Sequence, residues 1–110
     1  MPGPRMTLPT QLVLRQLLDD PDREMYGLEI CTSAGLPSGT IHPILARLER
    51  IGWITSRWED IDPSKEGRPR RRYYQLDPNA ASQIQAALHR AEKSSSALMR
   101  LRPGLAGEGK

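Results

Sequence analysis

A run of four arginines directly before a pair of tyrosines limits the possible folds of this chain more than any other segment. The run, Gly-Arg-Pro-Arg-Arg-Arg-Tyr-Tyr, occupies residues 67–74. Gly67 and Pro69 are turn residues, and the tyrosines open a segment of strand-forming residues, so the pattern predicts a turn that leads into a strand. Guanidinium groups carry a permanent charge and match the geometry of phosphate oxygens. The run therefore predicts a β-hairpin whose basic surface can face phosphate groups.

Three helices are predicted upstream of this hairpin from the spacing of apolar residues. The first extends from Leu8 to about Asp19, with Thr7 as its N-cap. The second starts near Met25 or Tyr26 and runs to about Thr32 or Ser33. Gly35 then supplies a turn where a left-handed backbone is tolerated. The third extends from Ser38 to Gly52. The residues expected to face the core are Leu28 and Ile30 in the second helix and Ile41, Ile44, Leu45, Leu48 and Ile51 in the third.

Two strands and a last helix complete the predicted order. Residues 54–60 and 70–76 are expected to pair as antiparallel strands around a loop over residues 61–69. Asp77 followed by Pro78 is typical of a helix start, since the aspartate can cap it and proline suits its first position. The predicted fold class is therefore α+β, a winged helix-turn-helix of order α-α-α-β-β-α with a C-terminal dimerisation helix.

The predicted domain organisation follows from these elements. Residues 7–76 form the winged helix-turn-helix DNA-binding domain, and residues 77–101 form the C-terminal dimerisation helix. Residues 1–6 and 102–110 are rich in proline and glycine and are expected to be disordered tails. The last helix carries a narrow apolar seam that suits another helix. The residues assigned to dimerisation, with one from the first helix, are Leu12, Ile84, Leu88, Ala91 and Leu98.

The outer face of the third helix is small and polar near its start and basic further along. Recognition helices present their N-terminal residues to base edges in the major groove, where bulk would obstruct approach. A solvated helix face and a solvated run of surface charge are the alternatives. Because several acids lie near the hairpin loop, we expect a basic hairpin base and a tip of mixed charge. The candidate DNA-binding residues are Ser38, Gly39, Thr40, His42, Pro43 and Arg47 on the helix and Arg68, Arg70, Arg71 and Arg72 on the hairpin.

The remaining sequence argues against other classes of protein. The single cysteine, Cys31, leaves no internal disulfide and is expected to be a small buried residue of the helix-turn-helix. No apolar run approaches the roughly 18 residues of a membrane span, and no secretory signal is recognisable, so we expect a cytoplasmic protein without a membrane partner. The sequence contains no Gly-rich phosphate loop, catalytic triad or paired carboxylates. We therefore expect neither an enzyme nor a cofactor or metal.

Four aromatic residues border the predicted hairpin. Trp53 and Tyr74 are expected in the core, where the strands pack against the helices. The interpretation of Trp58 stays open between core packing, stacking on bases and a small-molecule site near a dimer interface.

Four motifs together resemble the PadR family of bacterial transcriptional regulators, over roughly residues 8–90. They are Tyr-Gly-Leu-Glu-Ile at residues 26–30, Ser-Gly-Thr-Ile-His-Pro-Ile-Leu-Ala-Arg-Leu-Glu at 38–49, Gly-Trp-Ile at 52–54, and the arginine run continued by Gln75 and Leu76. The resemblance implies a homodimer that binds palindromic operators in double-stranded DNA, usually as a repressor. Many members release DNA on binding a small-molecule effector, often aromatic, near the dimer interface. His42 stands where the family usually has tyrosine.

The alternative from another class is a winged helix that binds proteins. In that case the basic hairpin would dock an acidic protein partner rather than DNA.

Overall fold

A computed structural model describes the backbone of residues 4–101 and the side chains of residues 4–94. Residues 1–3 and 102–110 of the two predicted tails lie outside the described backbone. The side chain of the predicted dimerisation residue Leu98 lies outside the described side chains. The elements, in chain order, are α1 (Leu8–Asp19), β1 (Met25–Tyr26), α2 (Gly27–Ala34), α3 (Ser38–Arg50), β2 (Ile54–Trp58), α4 (Pro63–Glu66), β3 (Arg72–Leu76), a 3-10 turn (Pro78–Ala80) and α5 (Ala81–Leu101).

The helix boundaries follow local capping chemistry. The hydroxyl oxygen of Thr7 accepts a hydrogen bond from the backbone N–H of Thr10 at 3.3 Å, as predicted for the N-cap of α1. Gly35 ends α2 with φ of 70°, a left-handed conformation that a residue without Cβ adopts most readily. Asp77 caps the turn that leads into α5 by accepting from the N–H of Asn79 at 2.9 Å. The predicted start of the first helix is confirmed. Asp77 is a cap as predicted, but it caps a 3-10 turn, and α5 itself begins at Ala81.

The sheet has three antiparallel strands in the order β1-β3-β2. The predicted hairpin is present, with Ser56 opposite Tyr74 and Trp58 opposite Arg72. Strand β1 was not predicted, because its two residues form a strand only by pairing with β3, where Met25 lies opposite Tyr74. The second helix consequently begins at Gly27 rather than at Met25 or Tyr26.

The helix-turn-helix and the sheet enclose one core. The core is made mainly by the inner faces of α1 and α3 together with residues from every other main element. Trp53 and Tyr74 are buried, as predicted, and Cys31 is buried between the helices. The largest fully buried side chains are Leu14, Leu17, Ile30, Ile41, Leu45, Leu48, Ile54 and Ile84.

Two of the predicted core residues lie on the surface. Leu28 is 68 % exposed, and the prediction that it anchors α2 is wrong. Residues two apart project from different sides of a helix, so Leu28 and the fully buried Ile30 cannot both face the core. Ile51 is 39 % exposed, because it is the C-cap of α3 and follows the last helical turn of the buried stripe.

Helix α5 packs its first turns against α1 and the body of its own chain. Ile84 and Leu88 are buried there, and Arg15 of α1 forms an ion pair with Glu92 at 2.5 Å. These two predicted dimerisation residues therefore fill the core of their own protomer. Leu12 and Ala91 are only half-buried and retain surface that a second chain can cover.

Candidate nucleic-acid interface

The surface of α3 that faces away from the core carries the predicted recognition residues. Ser38, Gly39, His42, Pro43 and Arg47 are exposed, while Thr40 is half-buried. Pro43 lies inside the helix and on its exposed side, so the buried stripe of α3 continues on the opposite side. Within residues 4–94, neither Arg47 nor Arg50 forms an ion pair. Both guanidinium groups are available to an external anion.

A groove of about 420 Å³ joins the start of α3 to the base of the hairpin. His42 lines it from α3, and Arg71 and Arg72 line it from the hairpin. Tyr26 and Trp58 complete its walls. The predicted recognition helix and the predicted basic strand thus share one exposed surface.

Gly27, the first residue of α2, allows His42 to approach this groove closely. A Cβ atom at Gly27 would lie 3.1 Å from Cε1 of the His42 ring, a spacing that requires the ring to move. The absence of a side chain at residue 27 therefore lets the imidazole lie close against the start of α2. Gly27 belongs to the Tyr-Gly-Leu-Glu-Ile motif, but its neighbours in the sequence do not indicate this contact, because His42 is brought close only by folding.

Arg68 differs from the free phosphate-binding group that its sequence position predicts. Its two terminal nitrogens donate to the two carboxylate oxygens of Glu59 at 2.7 and 2.9 Å. Glu59 also accepts the backbone N–H of Arg71 at 3.1 Å. The bonds from Arg68, together with that backbone N–H, lower the pKa of Glu59 from 4.5 to about 2. The charge of Arg68 is thus compensated inside the hairpin.

Arg71 and Arg72 are each held over an aromatic ring. The Arg71 guanidinium carbon lies 4.2 Å from the centre of the Tyr26 ring, and that of Arg72 lies 5.0 Å from the Trp58 ring. Arg72 also lies 3.6 Å from a carboxylate oxygen of Glu49. A cation over an aromatic face is attracted to it electrostatically, but its edge nitrogens remain free to donate.

Arg70 is the most accessible of the four hairpin arginines. Its side chain is exposed, and its Nε donates to the backbone carbonyl of Ile61 at 3.0 Å. This bond leaves the two terminal nitrogens of the guanidinium for a ligand. Among the described residues, no carboxylate forms an ion pair with Arg70.

The hairpin tip has the mixed charge expected from its sequence. Asp62 caps the one-turn helix α4 by accepting from the N–H of Ser64 at 3.0 Å, and Gly67 ends it with φ of 71°. Asp62 and Glu66 are exposed at the tip, whereas Glu59 is turned inward onto Arg68. The acid nearest the basic strand is therefore neutralised by an ion pair.

The outer face of the sheet contains a chain of contacts that sequence analysis missed. Arg57 donates twice to Glu24, at 2.6 and 2.7 Å, and lies over the Tyr73 ring at 5.2 Å. The Tyr73 ring in turn packs edge-on against Tyr26, with centres 5.8 Å apart. Hydrogen bonding to Arg57 lowers the pKa of Glu24. No local signal indicates these contacts, because they join β1, β2 and β3.

Within the described residues, no helix is both long and apolar enough to cross a membrane. No group of three or more His, Cys, Asp or Glu side chains is arranged there to hold a metal ion.

Comparison with known proteins agrees with this architecture. The family model of the transcriptional regulator PadR-like family matches residues 14–86. A PadR-like regulator from Bacillus cereus superimposes with a TM-score of 0.61 at 19 % identity, covering 84 % of this chain and 88 % of that one. Bacillus subtilis PadR, solved in complex with operator DNA, gives 0.59 at 18 % identity, covering 74 % of this chain and 48 % of that one.

A third similar structure is BpsR of Bordetella bronchiseptica, whose DNA binding is regulated by 6-hydroxynicotinic acid. It superimposes with a TM-score of 0.65 at 14 % identity, covering 90 % of this chain and 69 % of that one. These likenesses establish the winged-helix fold. No curated protein matches the sequence. Since the family model spans most of the helix-turn-helix, the hairpin and the start of α5, this chain is a member of the PadR-like family of transcriptional regulators.

Proposed function

We propose that the protein is a sequence-specific DNA-binding repressor that acts as a homodimer on a palindromic operator. The observation that carries the proposal is the groove in which His42 of α3 and two hairpin arginines line one surface. Exposed helix residues can reach base edges in the major groove, while guanidinium groups beside them bind flanking phosphates. The structure of Bacillus subtilis PadR with operator DNA supports this use of the fold.

The residues have different roles in this proposal. Ser38, Thr40 and His42 contact bases or nearby phosphates, because they lie on the first turns of α3. Gly39 and Pro43 keep that surface low enough for close approach. Arg47 lies further along α3 and reaches a phosphate or a guanine edge. On the hairpin, Arg70, Arg71 and Arg72 bind backbone phosphates, and Arg68 contributes to the shape of the hairpin through its ion pair with Glu59.

The homodimer is proposed to form through the later turns of α5, and α1 contributes to the same interface through Leu12. Helix α5 continues to Leu101, beyond the turns that carry the core residues Ile84 and Leu88. Leu12 and Ala91 have surface left to bury. A two-fold dimer places its recognition helices on half-sites about one turn of DNA apart, roughly 34–36 Å.

Release of DNA by a small molecule forms part of the same proposal. Its support is the regulation of BpsR by 6-hydroxynicotinic acid, together with Trp58, a large aromatic side chain that is 59 % exposed on the hairpin. A planar aromatic ligand can stack on such a ring.

Selection of bound sequences from a random duplex pool tests the proposal directly. The expected result is an enriched sequence with two inverted half-sites about one helical turn apart. Binding to random duplex should weaken steeply as salt rises, because neutralised phosphates release counterions. No duplex binding at moderate salt would instead support a winged helix that docks an acidic protein.

Thr40→Ala separates base reading from general DNA binding. We expect it to reduce affinity for the selected operator more than affinity for random duplex, since a lost base contact affects only the correct site. An equal loss on both duplexes would show that Thr40 contacts the backbone.

A further inference from the structure

Two aromatic residues face the proposed DNA-binding groove although neither carries a charge. Tyr26 follows Met25 in the short strand β1, and Trp58 is the last residue of β2. Both line the groove together with His42. Each ring has one arginine of the hairpin over it, at 4.2 Å for Arg71 and 5.0 Å for Arg72.

We infer that Tyr26 and Trp58 are positioning residues that hold the Arg71 and Arg72 guanidinium groups for backbone phosphates bound in this groove. The inference rests on the proposed DNA-binding function and goes beyond it by naming how the phosphate contact is prepared. A free arginine side chain loses rotational freedom about several bonds when it binds a phosphate. This loss of conformational entropy opposes binding. A guanidinium that already lies on a ring has lost much of that freedom before DNA arrives.

The surroundings of Arg71 support this role most strongly. Its backbone N–H is bonded to Glu59, and its backbone carbonyl accepts the N–H of Glu59 at 2.8 Å. Its side chain makes no ion pair within the described residues. Both the backbone and the guanidinium of Arg71 are therefore held in place, while the charge remains uncompensated. This combination suits a preorganised anion contact.

Tyr26 is itself fixed by contacts on two sides. Its backbone N–H donates to Glu29 at 3.1 Å, and Glu29 also pairs with Arg23. Its ring packs edge-on against Tyr73. The ring is thus a rigid support, because its position is determined by α2 and by the sheet together.

Arg72 has a competing partner. Glu49 lies 3.6 Å from its guanidinium and also accepts the hydroxyl of Ser56 at 2.6 Å. Part of the Arg72 charge is compensated by this carboxylate, so Arg71 is the stronger of the two phosphate ligands. The Trp58 ring contacts the same guanidinium, with its centre 5.0 Å from the guanidinium carbon of Arg72.

A double-mutant cycle on DNA affinity tests the inference. Dissociation constants for one operator duplex are measured for the wild type, Tyr26→Leu, Arg71→Ala and the double variant, each at several salt concentrations. We expect Tyr26→Leu to weaken binding by about two- to fivefold, the range of one exposed cation–π contact. In the Arg71→Ala background the same change should cause no further loss, since there is no guanidinium left to position.

The conservative variant and the salt dependence distinguish positioning from a general loss of structure. Tyr26→Phe keeps the ring and should recover the affinity lost in Tyr26→Leu. Arg71→Lys keeps the charge but cannot lie flat on the ring, so it should also bind more weakly than wild type. If Tyr26→Leu does not fold, the corresponding cycle at Trp58, which is exposed, carries the test. A parallel cycle with Trp58→Leu and Arg72→Ala should show the same non-additivity with a smaller effect.

The outcomes separate the inference from the function on which it rests. Absence of salt-dependent duplex binding by the wild type would overturn the proposed function and this inference with it. Normal binding by the wild type with additive losses in both cycles would overturn the inference alone. Full affinity of Arg71→Lys would overturn the positioning role of Tyr26.

Discussion

The compensation of Arg68 by Glu59 predicts that the four hairpin arginines contribute unequally to DNA binding. We compare a double variant, Glu59→Gln with Arg68→Gln, against the single variant Arg70→Gln. The double variant removes one positive and one negative charge, so the net charge of the protein is unchanged. An amide oxygen at residue 59 can still accept the backbone N–H of Arg71, which Glu59 accepts at 3.1 Å in the structure.

The expected magnitudes follow from which guanidinium groups are free. Each phosphate neutralised by a cation contributes about 0.9 to the slope of log affinity against log salt concentration. Arg70 has two free terminal nitrogens and is assigned one phosphate, so Arg70→Gln should lower the slope by about 0.9. Arg68 donates to both oxygens of Glu59, so the double variant should leave the slope unchanged.

The assay is a titration of one fluorescent operator duplex at salt concentrations from about 50 to 200 mM. Over this fourfold range, a slope difference of about 0.9 changes the ratio of two dissociation constants by about 3.5-fold. That difference is large enough to resolve when every variant is measured on the same duplex. Circular dichroism and thermal unfolding establish that each variant remains folded.

An equal fall in slope for both variants would refute the reasoning. It would mean that Arg68 leaves Glu59 when DNA binds, so that the ion pair of the free protein does not limit the contact. An unchanged slope in Arg70→Gln would show that Arg70 points away from the duplex.

Three further predictions concern stability and the groove. Leu14→Ala should lower the free energy of unfolding by about 2–5 kcal/mol, because Leu14 is fully buried. Leu28→Ala should change it by no more than about 0.5 kcal/mol, because Leu28 is exposed. Chemical denaturation of both variants measures this contrast. The pKa of Glu59 falls from 4.5 to about 2 on folding, so its contribution to stability is complete above pH 4.5 and is lost as pH falls toward about 2. Glu59→Gln should therefore flatten the dependence of the unfolding free energy on pH in that window. The same pH dependence in Glu59→Gln and wild type would show that Glu59 does not contribute in this way. Gly27→Ala should leave the melting temperature close to wild type but weaken operator binding, because the new Cβ shifts the exposed His42 ring by a few tenths of an ångström; unchanged affinity would show that binding tolerates this shift of the ring.

The helices and the hairpin were predictable because their signals are local. The stripe of Ile41, Ile44, Leu45 and Leu48 repeats with the period of a helix, and all four side chains are buried. The glycine turn before α3 and the caps of α1 and α5 depend only on neighbouring residues. Errors arose where a short segment lacks such a pattern. Strand β1 has only two residues, which is too short for a pattern. Leu28 and Ile30 are both apolar, but they project from different sides of α2 and only Ile30 is buried.

The candidate site was predictable in its location but only partly in its chemistry. The arginine run and the outer face of α3 were both recognised, and the groove places them together. The roles of Tyr26, Gly27 and Glu59 were not recognised, because each depends on a residue brought close by folding. Ile84 and Leu88 were assigned to a dimer seam, but the helical period cannot distinguish a partner chain from the chain's own core.

Residue types and their spacing were sufficient to predict the winged-helix order, the outward-facing side of α3 and the concentration of positive charge on one hairpin. They were sufficient because helix periodicity, capping and turn formation act over a few neighbouring residues. Folding determined which of those charges remain free. Arg68 is compensated by Glu59, Arg72 lies between Trp58 and Glu49, and Arg71 rests on Tyr26. Electrostatic interactions depend on distance in space, and every one of these pairs joins separate segments of the chain.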